Sequence, residues 1–223
     1  DLDTAFKGYE DLDESVRGLD RFGEQAHDII SSPTTRKAFD LSLENPKEAT
    51  RFGRHEFGQS LLLASRLIEA GVHFVTVRLR PAEFDFDTHL DNFSKLSALL
   101  PPFDKGLASL IDRLKERGLF RSTAIMVAGE FGRTPKINAQ GGRDHWARAM
   151  FALMAGGDVE GGQVIGETDD RAGAPIGKGY SPDDLAASFF QNIGINSKHE
   201  FETNIGRPIN LVRDGKPIAQ LFS

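Results

Sequence analysis

The chain has 223 residues, 39% of them hydrophobic and 27% charged, and a formal net charge of −6. That is enough apolar material for one large domain with a core, while the acidic balance argues against a nucleic-acid partner, which would select a basic face. No apolar run approaches the roughly 18 residues of a membrane span, and the absence of cysteine removes disulfides and thiolate chemistry.

The chain begins DLDTAF, without Met, which reads as a cut, made by processing or by choice of boundary. Residues 1–57 form a polar helical segment, with Leu12, Val16, Leu19 and Phe22 at helical spacing. Ser31-Ser32-Pro33 is a break followed by a helix start, and Asn45-Pro46 is a second break. RFGRHEFGQ is a turn into the next helix. From residue 58 to 223 the character is that of an α/β domain. GQSLLLASRLIEAG is an amphipathic helix closed by Gly71. VHFVTVRL reads as a β-branched strand and RPAEFDFDTH as a polar loop. NFSKLSALL is a helix, Pro101-Pro102 interrupts it, and FDKGLASLIDRLKERGL is another. STAIMVAG and MFALMAGG read as strands, GGQVIGET as a short strand and DDRAGAPIGKG as a loop. SPDDLAASFFQNIGI is a helix with Ser181 as N-cap, Pro182 at its first position and acids in its first turn.

Helices alternating with short continuous apolar strands predict an α/β fold with a largely parallel sheet and helices on both faces. Sites in such folds form in loops at the carboxyl ends of strands. Three polar clusters fall there: FDTHLDN, GEFGRTP and GRDHW. Asp87 and His89 flank Thr88, and a carboxylate and an imidazole two residues apart can reach one cation. Asp87 or Thr88 would alternatively cap the helix that follows. Glu130 is a ligand candidate or the ion-pair partner of Arg133. His145 is a ligand candidate or a core histidine bonded to Asp144, and Asp144 is a further ligand or an orienting group. Arg133 and Arg143 are the natural anion binders, since a guanidinium offers a fork of donors to phosphate or sulfate. Nitrogen and oxygen donors together suit zinc, manganese, calcium or magnesium.

FDKGLASLIDRLKERGLFRSTAIMVAGEFG resembles a segment of sulfatases and other enzymes of the alkaline phosphatase superfamily, in which a strand is capped by an Asp-His-Gly metal motif. MFALMAGG and SPDDLAASFFQNIGI resemble the strand and the late helix that follow there. FGQSLLLASRLIEAGVHFVTV, DTHLDN, GEFGRTPKIN and GRDHW, in that order, resemble one bacterial branch, a sulfatase-like domain of unknown function whose members usually carry a twin-arginine export signal. The resemblance spans roughly residues 35–223. It implies a sulfatase-like fold and an extracytoplasmic location. Asp87 and His89 match the metal pair, His145 the later metal histidine, and Glu130 the Asp of Asp-His-Gly; Phe131 replaces the His of that motif and cannot ligate. The resemblance also implies that this chain is the C-terminal portion of the fold, with its nucleophile upstream, so that either that missing segment or a second copy would cover an open sheet edge.

The expected activity is metal-dependent hydrolysis of phosphate or sulfate esters, with an anionic small-molecule or glycan ester as substrate. The alternative is a non-catalytic extracytoplasmic binding protein that keeps the fold with a degenerate metal site.

Overall fold

The structure is a computed structural model, and it describes residues 23–24, 32–78, 86–177 and 179–223. Leu12, Val16, Leu19 and Phe22 lie outside the described residues, as do the end of VHFVTVRL and the start of RPAEFDFDTH.

Local chemistry sets the helix starts. In α1 (Pro33–Phe39) the Ser32 side chain accepts from the Thr35 N–H, and Pro33 needs no partner for a missing N–H. In α2 (Pro46–Phe52) Asn45 plays the same part through the N–H of Lys47, so Asn45-Pro46 both breaks the chain and starts a helix. The amphipathic stretch forms α3 (Glu56–Glu69), capped by His55, whose Nδ1 accepts from the Gly58 N–H at 3.1 Å. Gly71 follows it with φ 91°, a conformation that favours glycine.

α4 (Asn92–Glu116) runs through Pro101-Pro102 without a break, correcting the expected interruption. Two prolines remove two backbone donors, at about 3 kcal/mol each in a helix interior. Packing overrides that cost, because the buried face of Leu99, Gly106, Leu110 and Leu114 is continuous across the pair. A Cβ on Gly106 would lie 2.9 Å from Leu61 Cδ1, so glycine lets α4 settle closely on α3. Phe52, Leu61, Leu62, Leu110 and Leu114 form the core, with Ile68, Val77, Phe120 and Ile125 packed on it. Arg113, its side chain 2% exposed, is held beside this core by Glu69 at 2.8 Å and Glu44 at 3.0 Å. Glu44 also takes Arg66 at 2.8 Å.

The expected largely parallel sheet is not the architecture. Among the described residues the strands are β1 (Ile125–Ala128), β2 (Gly132–Arg133), β3 (His145–Trp146), β4 (Ala152–Ala155), β5 (Glu200–Glu202) and β6 (Pro208–Asn210). They pair β1 with β4, β2 with β3 and β5 with β6, every pair antiparallel, as three two-stranded sheets. The reason lies in the connections. A parallel return needs a crossover of a dozen or more residues, usually a helix. The segment from β1 to β4 instead folds into the small β2–β3 hairpin, so β4 comes back antiparallel. Nor, among the described residues, are helices stacked on two faces of a sheet: Met126 and Leu153 remain 42% and 41% exposed. The described part of VHFVTVRL is irregular, and GGQVIGET contributes only the isolated bridge between Thr168 and Pro175. The last helix, α5 (Pro182–Asn192), carries a full capping box between Ser181 and Asp184, as its sequence predicts.

Candidate metal centre

The Asp87-Thr88-His89 stretch is pinned just ahead of α4. Thr88 is 1% exposed, and its hydroxyl donates to Asn92 Oδ1 at 2.6 Å. The backbone carbonyl of Thr88 accepts from the Arg143 N–H at 2.9 Å. The glycine-rich loop that begins at Gly129 lies against this stretch, backbone to backbone. Leu90 bridges Gly141, and the N–H of Asn92 donates to the Gly141 carbonyl at 3.0 Å. A Cβ on Gly142 would sit 2.0 Å from the carbonyl carbon and oxygen of His89. Only glycine permits that approach. At the far end of the loop, β2 pairs Arg133 directly opposite His145 in β3, placing both side chains on one face.

Three donor atoms meet as a result. Asp87 Oδ1 is 3.0 Å from His89 Nε2 and 3.1 Å from His145 Nε2, and the two Nε2 atoms are 3.1 Å apart. Ligands at about 2.1 Å from one cation are spaced roughly 3.0 Å apart when adjacent in an octahedron and roughly 3.4 Å in a tetrahedron. Two imidazoles and a carboxylate with these edges could hold one cation, and mixed nitrogen and oxygen donors suit zinc and other borderline divalent ions. The side chains are 43%, 44% and 51% exposed for Asp87, His89 and His145, so a ligand can approach from solvent.

A second carboxylate and an arginine lie against these donors. His89 Nδ1 lies 3.0 Å from Asp144 Oδ1. A neutral ring that donates there presents its Nε2 lone pair to the centre, the carboxylate–histidine arrangement of metal sites. Asp144 also accepts from Asn138 Nδ2 at 3.1 Å. The hydrogen bonds from His89 and then Asn138 hold its carboxyl below the usual range. For Asp87 the burial that raises a carboxyl is outweighed by hydrogen bonds from Arg133 and His145 and by the Arg133 charge, so it too lies low. Both are carboxylates at neutral pH.

Of the residues singled out by sequence, Asp87, His89 and His145 form the three-donor group. Asp144 touches the outer nitrogen of His89. Glu130 is exposed at the turn after β1 and is not one of the three donors. Arg133 donates to Asp87 Oδ1. Arg143 donates to the carbonyls of Thr134 and Pro135 at 2.6 and 2.7 Å, bracing the loop. The helix-capping alternative for Asp87 and Thr88 is not realised: the N-cap of α4 is Asp91, with φ 50° and no side-chain cap bond. Trp146 donates from Nε1 to the Gly173 carbonyl at 2.8 Å.

Sequence reasoning missed Asn138. Its Nδ2 donates to the His89 carbonyl at 2.9 Å as well as to Asp144, while its Oδ1 accepts from the N–H groups of Gln140 and Gly142 at 3.0 and 2.9 Å. The available signal was Asn-Ala-Gln-Gly, a pattern in which an Asn side chain closes a turn on the backbone two residues on. Also unforeseen was the use of Phe131, whose ring centroid is 4.3 Å from that of His145.

The family described as "Protein of unknown function (DUF1501)" has a model that matches residues 1–222, and the chain belongs to that family. No curated protein and no solved structure matches it.

Proposed function

We propose that the protein is a metal-dependent hydrolase of phosphate or sulfate esters, acting outside the cytoplasm on an anionic small-molecule or glycan ester. The observation that carries this reading is the triangle of Asp87 Oδ1, His89 Nε2 and His145 Nε2, with edges of 3.0 to 3.1 Å. Zinc or manganese suits that donor set better than calcium or magnesium, which favour all-oxygen ligands. The sequence resemblance to sulfatases supports the ester class and the location.

A divalent cation held by Asp87, His89 and His145 would supply a Lewis acid for the ester oxygen and a water of lowered pKa. The chain's own residues do the rest. Asp144 fixes the His89 tautomer and ring angle. Asn138 holds Asp144 and the His89 backbone in one frame. Arg133 brings a guanidinium to the rim, where an anionic group would be held.

Metal content and turnover test the reading together. Purified protein dialysed against Zn2+ or Mn2+ should retain about one ion per chain, and aryl phosphate or aryl sulfate hydrolysis should vanish with chelator. Absence of a retained ion would defeat the metal reading. A retained ion with no hydrolysis of either ester class would favour the second reading, a binding protein that keeps the metal centre without catalysis. Phe131 favours that alternative, because it stands where the resemblance expects a ligating histidine.

A further inference from the structure

One oxygen in the centre is claimed twice. Asp87 Oδ1 is the only carboxylate atom of the three-donor group, and it also accepts from the Arg133 guanidinium. A cation seated against Asp87 Oδ1, His89 Nε2 and His145 Nε2 would meet a fixed positive charge on its own ligand, and the two positive groups repel. Arg133 has a second neighbour. It sits on β2 directly opposite His145, and its guanidinium carbon lies 5.7 Å from the centroid of the Phe131 ring. The same ring packs on the His145 imidazole. Phe131 is therefore a platform on which the guanidinium can stay at the rim after leaving Asp87, held by its attraction to the ring face.

We infer that Arg133 and a divalent cation compete for Asp87 Oδ1, and that the guanidinium displaced by the cation becomes the anchor for a tetrahedral oxyanion. The inference rests on the metal-centre reading and adds to it an order of events and a second ligand site. In the absence of a cation Arg133 is spent on Asp87 and neutralises it. With a cation bound, its fork of donors turns to phosphate or sulfate, which the cation also attracts. Cation and oxyanion therefore strengthen each other's binding, by the same factor in both directions. The arrangement also explains why an arginine lies against a metal-ligating carboxylate, where it otherwise only weakens the centre.

Calorimetric titration of Mn2+ and of inorganic phosphate tests this on the wild-type chain, Arg133→Gln and Arg133→Lys. Arg133→Gln removes the competitor, so Mn2+ should bind about two- to five-fold more tightly, the range set by an exposed ion pair. Phosphate should bind the Mn2+-loaded variant roughly ten-fold or more weakly than loaded wild type, as loss of a charge-assisted hydrogen bond requires. Mn2+ affinity that is unchanged or weaker in Arg133→Gln overturns the inference, as does unchanged phosphate affinity. Should Arg133→Gln fail to fold, Arg133→Lys keeps the charge without the fork. It must bind phosphate more weakly than wild type and Mn2+ no more weakly, and the reverse order overturns the inference. Failure of the wild-type chain itself to bind Mn2+ would instead sink the metal-centre reading, which the first titration alone reveals.

Discussion

The Nδ1 atom of His89 and Oδ1 of Asp144, 55 positions apart in the chain, lie 3.0 Å from each other. That contact joins the segment before α4 to the loop between β2 and β3, and it turns the Nε2 of His89 towards Asp87 and His145. Asp144 thereby lies against the outer nitrogen of His89 and outside the three-donor group. Replacing it with Asn should leave the fold intact, since the side chain is 53% exposed. Zn2+ or Mn2+ affinity should fall by about 10- to 100-fold, the usual effect of removing an outer partner of a ligating histidine. Unchanged affinity measured by competition with a chelator would show that the contact is incidental.

His145→Ala separates a ligand from a core residue. The side chain is 51% exposed, so its removal opens little cavity, and stability in chelator should change by less than about 1 kcal/mol. With metal present, wild type gains stability by mass action and the variant gains less. Thermal melts of both proteins in both conditions give the answer. A gap of equal size with and without metal would remove His145 from the centre.

Gly142→Ala should uncouple the loop. Its Cβ would fall 2.0 Å from the His89 carbonyl, so the loop must move away from the stretch that carries Asp87 and His89. Metal affinity should drop by about ten-fold or more, although residue 142 is no ligand. Stability should fall by roughly 1–3 kcal/mol, the cost of forcing a close contact apart. Wild-type metal affinity in this variant would contradict the close packing of Gly142 on His89.

The helical core carries an acid-sensitive element of its own. For Glu44, burial raises the carboxyl but hydrogen bonds from Arg113 and Arg66 outweigh it, leaving it below its ordinary value of 4.5. The unfolded chain therefore takes up this proton before the folded one does. The stabilisation is complete above about pH 4.5 and is lost as pH falls through the lower folded value. Glu44→Gln should cost about 1–2 kcal/mol at pH 7 and visibly less at pH 3.5, measured by urea unfolding. A gap that widens towards acid would reverse the assigned sign.

Three helix starts and the candidate donors were legible in the amino-acid sequence. Ser32-Pro33, Asn45-Pro46 and Ser181-Pro182 announce helix starts because their caps act over three or four residues, within reach of the chain's own neighbours. The resemblance points to Asp87, His89 and His145, which meet, and also to Glu130, which is outside the three-donor group. Two other features were settled only by tertiary structure. The face of α4 packs continuously enough on α3 to carry a helix through Pro101-Pro102, which no local rule allows. The apolar strands read equally well as members of a parallel sheet or as hairpin partners, because hydrophobic pattern records burial and not the direction of the neighbour. The β2–β3 hairpin decided that question by returning β4 antiparallel to β1. It also brought His145 to His89 across 56 positions. A contact of that span depends on the path of the backbone between its ends, and that path is held by Gly142 and Asn138, whose importance shows only when the two segments touch.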